Sequence, residues 1–204
     1  MRTRLLLVGI ILPLTPLGAS AQGLNGDVYI EVFGGLSDLS STGLNFGAVE
    51  DDTGFDTGGL AGGALGYAFA ASPVRAELEF TYRSADGSDV AGDFASTTLA
   101  LNGYYDFGDD DARLRPYIGA GVGVVTEIDY DIADGIFAGE YSDRGGALFQ
   151  GMLGASYAIT PSVLLSGELR YFDAGSRTLS RDGGGSVDTD YSGAEVTLGL
   201  AYRF

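Results

Sequence analysis

The chain has no cysteine, no histidine and no lysine. Without cysteine there is no disulfide and no thiolate metal site. Without histidine, Ser-His-Asp and Cys-His catalysis and histidine zinc sites are closed off. All eleven basic residues are arginine, against 28 acidic ones, for a formal charge of −17. Nucleic acid is therefore not an expected partner, because phosphate binding needs clustered cations. Proline is scarce, with five residues, whereas glycine is abundant at 34, more than twice the usual share and without a Gly-X-Y period. Long apolar runs are also missing. Leu5 to Leu14 is too short to span a bilayer as a helix and is broken by Pro13.

That short run reads as a secretory signal. Arg2 and Arg4 precede it, and Ala19-Ser20-Ala21 follows with the small-x-small pattern of a cleavage site. Residues 1–21 are expected to be a signal peptide cut after Ala21, and residues 22–204 a single domain. Removing Arg2 and Arg4 takes the charge to −19.

The remainder is dominated by period-two alternation in segments of about ten residues bounded by Gly, Asp, Ser and Pro. In Val74–Arg83, Val74, Ala76, Leu78, Phe80 and Tyr82 share one face, while Arg75, Glu77, Glu79, Thr81 and Arg83 share the other. The segments 95–107, 163–172 and 194–204 repeat this pattern. Those at 58–69, 116–127 and 147–159 set apolar residues opposite mainly small ones. The first, 27–36, carries bulk on both faces. Short connections at 70–73 and 160–162 and an intermediate one at 108–114 alternate with longer polar ones at 37–57, 84–93, 128–146 and 173–190. An all-β, eight-stranded, antiparallel up-and-down transmembrane β-barrel with one elaborated rim would produce this rhythm.

Three features favour lipid, not a protein core, against the apolar face. Glycine, alanine and serine mix with charge on the other face, as a narrow lumen requires. Glu31, Glu77, Glu79, Glu127, Glu168 and Glu195 would meet Arg75, Arg83, Arg170 and Arg203 there, forming a ladder of ion pairs. Tyrosine and phenylalanine gather near segment ends, as interfacial girdles do.

Arg115-Pro116-Tyr117-Ile118-Gly119-Ala120-Gly121-Val122-Gly123 resembles the Pro-Tyr-x-Gly-x-Gly-x-Gly strand of bacterial outer-membrane barrels. Leu101-Asn102-Gly103-Tyr104-Tyr105-Asp106-Phe107 resembles their Asn-x-Tyr-Tyr-Asp-Phe strand end. Across the whole mature chain the sequence is similar to the family that includes the opacity proteins and the barrel of outer membrane protein A. The resemblance implies residence in the outer membrane of a Gram-negative bacterium, with lipid and lipopolysaccharide as neighbours. It also implies that Leu200, Tyr202 and Phe204 on the last strand are read by the barrel assembly machinery. No residue follows Phe204, so a periplasmic peptidoglycan-binding domain is not expected.

No catalytic residue, metal site or cofactor is expected. Gly119-x-Gly121-x-Gly123 lacks the spacing and following helix of a dinucleotide loop. Asp109-Asp110-Asp111 reads as a solvated turn. Asp129, Asp131, Asp134 and Glu140 fit a calcium loop poorly, since Ala133 and Asp134 stand where an oxygen ligand and a glycine are needed. Glu77 and Glu79 share a face but are better read as ion-pair partners than as an acid-base couple. Barrel enzymes of the lipid A-modifying and protease types use a histidine that this chain lacks. The expected role is structural or surface-interactive, through long acidic loops that contact an extracellular ligand. The alternatives are a small pore and a secreted soluble β protein.

Overall fold

A computed structural model describes residues 26–39, 44–45, 50–51, 57–86, 92–109, 112–132, 139–181 and 186–204. The expected signal peptide and its cleavage site lie outside the described residues, as do Asp110, Asp111, Ala133 and Asp134. Eight long strands form the wall: β1 (Gly26–Leu39), β2 (Gly58–Phe69), β3 (Val74–Asp86), β4 (Gly92–Asp106), β5 (Leu114–Ile132), β6 (Ala147–Ala158), β7 (Val163–Arg181) and β8 (Ser186–Arg203). Each pairs antiparallel with its neighbours in sequence, and β8 pairs with β1 to close the ring. Closure leaves no unpaired edge, which a sheet in lipid requires.

Cross-strand partners trace a helical path round the wall. From Asp38 it runs through Ala194, Tyr171, Gly151, Ala120, Gly103, Ala76 and Tyr67 and returns to β1 at Val28. The stagger is therefore ten residues, and such a shear forces the strands to tilt against the barrel axis.

The outward face carries the apolar set. Val28–Leu36, Val74–Tyr82, Val163–Tyr171 and Val196–Phe204 each present an apolar row, with Val32, Leu169 and Leu198 more than half exposed. Nine residues at about 3.4 Å each, tilted by about 40°, rise roughly 23 Å, close to the apolar height of a membrane barrel. Above this band the outward positions turn polar, at Asp38, Ser84, Thr97, Glu127, Asp173 and Ser192. Aromatic residues ring the short-turn end, where Tyr67 meets Phe69, Tyr105 meets Phe107 and Tyr202 meets Phe204 edge to face at about 5 Å. The ambiguity of the first segment resolves: Tyr29, Glu31 and Phe33 face inward, and Val28, Val32 and Leu36 face lipid.

The other end differs from expectation. Much of what reads as loop at 84–93, 128–146 and 173–190 is strand. β4 and β5 stay paired out to Gly92 and Ile132, β7 and β8 out to Ser180 and Ser186, and Gly139–Asp143 bridges β5 and β7. The physical reason is an inversion of polarity. Above the lipid band the exterior meets water, so polar residues point out and apolar ones point in. Ile128-Asp129-Tyr130-Asp131 still alternates, but Ile128 and Tyr130 are the buried pair. Two irregularities carry the wall across this boundary. One extra residue, Thr126, interrupts β5 opposite Thr97 and Thr98, and a second bulge lies between Asp173 and Ser176 on β7. Facing the first, Gly145 and Gly146 adopt φ of 88° and 102°, a region that favours glycine, and exchange backbone hydrogen bonds with Val125.

Candidate functional site

The lumen is filled in layers. Inward glycines make the room, chiefly beneath aromatic rings. A Cβ at Gly119 or Gly154 would lie 2.5 Å from the ring of Tyr104 or Tyr117, and Gly62 and Gly66 lie likewise beneath Phe33 and Tyr29. Glycine was expected to make space for arginine and glutamate; in the barrel it mostly makes space for tyrosine and phenylalanine.

Three arginines then stack along the axis. Nearest the short-turn end, Arg75 donates from Nη1 to Glu77 and to Tyr29 Oη (3.0 Å), and from Nε to Asp106 Oδ1 (3.2 Å). Its guanidinium lies 3.9 Å from the Tyr104 ring centre and 4.6 Å from that of Tyr117, within cation–π range. In the middle, Arg170 grips Glu79 with both Nη atoms (2.5 and 2.8 Å) and donates to Glu168 from Nε and Nη2 (3.1 and 2.9 Å). Thr81, Asn102 and Tyr117 supply further donors to Glu79 and Glu168. Highest, Arg83 donates to both oxygens of Glu195 (2.5 and 3.3 Å) and to Thr98 Oγ1 (2.9 Å), its guanidinium 4.5 Å from the Phe172 ring centre. Planar, two-pronged contacts of this kind suit arginine and not lysine, which accords with a wall built without lysine.

The remaining residues expected in the ladder lie elsewhere. Glu31 faces the lumen but is bonded by Ser166 Oγ at 2.5 Å, not by arginine. Arg203 stands at the short-turn mouth, its Nε 3.8 Å from Asp27 Oδ2, and meets no glutamate among the described residues. Glu127 is a correction. The extra residue at Thr126 reverses the facing of β5, so Glu127 points outward and pairs with Arg144, whose side chain is 76% exposed.

Above Arg83 lies an apolar plug. Phe94, Val125, Ile128, Tyr130, Leu148, Phe172, Leu179 and Tyr191 interdigitate across the lumen with almost no exposure. Tyr191 packs against Phe172 (5.1 Å) and Phe94 (5.8 Å) and meets Ser96 Oγ at 2.6 Å. The plug was not anticipated: Ile128, Tyr130 and Leu179 alternate with polar residues and so read as loop, and Val125, Leu148 and Phe172 lie on the faces of their segments expected to be lumenal, with nothing local to show that they meet. The alternation itself, as in Ile128-Asp129-Tyr130-Asp131, was the available signal. At the opposite end the lumen opens as a cavity of about 350 Å³ that stops at the Arg75 layer. Leu200 and Tyr202 on β8 face outward, and Phe204, just past its end, is exposed as well.

Residues 7–204 match the family described as outer membrane protein beta-barrel domain. Outer membrane protein PagN of Salmonella typhimurium is 28% identical over a 236-residue alignment covering 95% of this chain and 97% of that protein. Outer membrane protein W of Salmonella typhi is 28% identical over 151 residues, covering 61% of this chain and 70% of that protein. Among solved structures, Neisserial surface protein A matches with a TM-score of 0.62 at 18% identity, covering 87% of this chain and 97% of that one. Ring closure, lipid-facing exterior and family match agree: this chain is an outer-membrane protein and belongs to the outer membrane protein β-barrel family.

Proposed function

We propose that the protein is a closed anchor, not a pore or an enzyme, and that it acts through the part of the wall that rises beyond the lipid. The observation that carries this reading is the dead end in the lumen: a hydrogen-bonded charged stack topped by an apolar plug leaves no continuous path. Eight-stranded interiors are just wide enough for side chains to fill them. The lumenal carboxylates are engaged by arginine, tyrosine, serine or threonine, an arrangement that supports structure over acid-base chemistry.

The raised wall offers a polar, mainly acidic exterior. Asp86, Asp93, Asp131 and Glu140 face outward at directly paired positions on neighbouring strands, with Asp129 beside them. Recognition is commonly mounted on such rigid supports. The partner in this reading is an extracellular ligand, or lipopolysaccharide phosphate bridged by divalent cations. Leu200, Tyr202 and Phe204 serve assembly, as exposed apolar residues at the end of the closing strand.

The test is reconstitution into lipopolysaccharide-containing vesicles with magnesium, followed by chelation. The protein should migrate differently on SDS gels with and without boiling, and chelation should loosen its association with lipopolysaccharide. Replacing Asp93, Asp131 and Glu140 together with asparagine or glutamine should abolish that chelation effect and leave folding intact. A chelation effect unchanged in this variant refutes the proposed contact.

A further inference from the structure

The cavity at the short-turn end, which faces the periplasm in barrels of this kind, holds charged groups that the ion-pair stack leaves unspent. Its walls include Tyr29, Tyr117, Ala68 and Ala201. Arg75 and Asp106 also line it but are bonded to each other. Glu31 lies where the cavity meets the charged layer and lines both. Its carboxylate receives one hydrogen bond, from Ser166, and no arginine stands within ion-pair distance among the described residues. A carboxylate offers about four acceptor sites, and a half-enclosed one without a counter-ion is costly. Among the described residues, Arg115 donates to no side chain, and Arg203 Nε is buried without a hydrogen bond and sits 3.8 Å from an Asp27 side chain that is itself 56% exposed. An unmatched anion therefore lies deep, and two under-used guanidiniums lie in the same walls.

We propose that this cavity binds a small zwitterion the size of an amino acid or short peptide, with its ammonium on Glu31 and its carboxylate on Arg115 or Arg203. A volume of about 350 Å³ falls at the small end of ligand sites. A primary ammonium suits the deep position because it is compact and carries three donors, and the Tyr29 and Tyr117 rings offer it apolar flanks. A bare metal ion suits it poorly, since no group of three acidic side chains among the described residues could hold one. A simple anion would face Glu31 and Asp106. Because the lumen is closed beyond Arg75, the ligand enters and leaves from the same side and is retained, not passed on.

The test uses the full barrel in detergent micelles, with trialanine as probe and N-acetyl-trialanine and trialanine amide as controls, read by NMR shift changes. Trialanine is expected to give saturable shifts at Tyr29, Ser166 and Arg115, and N-acetylation to weaken binding about tenfold or more, the usual worth of a hydrogen bond to a charged group. Glu31→Gln should weaken trialanine about as much and leave the acetylated peptide unaffected. Arg115→Gln together with Arg203→Gln should weaken trialanine but not its amide. If Glu31→Gln does not fold, Ser166→Ala, which removes the side chain that holds Glu31, should weaken trialanine instead. Absence of saturable shifts with trialanine, or equal affinity for the free and acetylated peptides, overturns the proposal.

Discussion

Arg83 and Glu195 form the sharpest test of the lumen. Both side chains are 0% exposed, and they are joined through both carboxylate oxygens. Replacing Glu195 with leucine leaves a guanidinium enclosed by Phe172, Thr98 and the plug, with no route to water. It also strips Ser37 Oγ of its acceptor at 3.2 Å. Removing one partner of such a pair costs about 3–5 kcal/mol, because the survivor remains charged and unpaired. Arg83→Met alone should cost a similar amount. The double replacement, Arg83→Met with Glu195→Leu, should fall within about 1–2 kcal/mol of the parent, since an apolar pair of similar volume continues the plug downward. The coupling energy is then at least about 4 kcal/mol and stabilising, on the order of a thousandfold in the folding equilibrium. Urea titration in lipid vesicles, with the folded fraction read from gels of unboiled samples, measures all four corners of the cycle. Additive single costs below about 1 kcal/mol each would show that water reaches the pair and would refute the closed lumen.

Four further outcomes follow from the same geometry. Planar-bilayer recordings of the wild type should show no steady conductance, and Phe172→Ala with Tyr191→Ala should be needed to create one; an open wild type contradicts the plug. Gly119→Ala or Gly154→Ala should destabilise by about 1–3 kcal/mol through collision with Tyr104 or Tyr117. Gly103→Ala and Gly151→Ala, on the lipid face with no neighbour within 4 Å, should be neutral or stabilising in the same urea titration. Arg144→Ala should leave stability in the same urea titration nearly unchanged, because the side chain is exposed and its partner Glu127 lies on the exterior in water. A larger loss would place that pair inside the wall.

The barrel joins two environments within one set of strands. In the lipid band the exterior is apolar and the lumen charged; above it the exterior is charged and the lumen apolar. The solvent outside decides each sign. The charged layer and the plug meet at Arg83, whose guanidinium lies over Phe172. That stacking lets one residue belong to both layers.

The eight strands of the lipid band and the outward faces of all but the first were legible in the sequence alone, because alternation has a fixed period of two and those strands carry enough apolar positions to show it. Val74–Arg83 and Ala194–Phe204 name their outward faces without any structure. The inward faces of β3 and β7 were equally plain, which is why Arg75, Glu77, Glu79, Arg83, Glu168 and Arg170 could be named. What needed the tertiary structure was everything that depends on facing after an irregularity, or on what lies across the lumen. The extra residue at Thr126 turns Glu127 outward, and no local pattern announces it. The partner of Arg170 is Glu79, 91 residues away, and that of Arg83 is Glu195, 112 residues away, and ring closure alone brings them together. The plug was hidden because the rule of apolar outward holds only where lipid is the solvent, and the height at which lipid ends is a property of the assembled barrel.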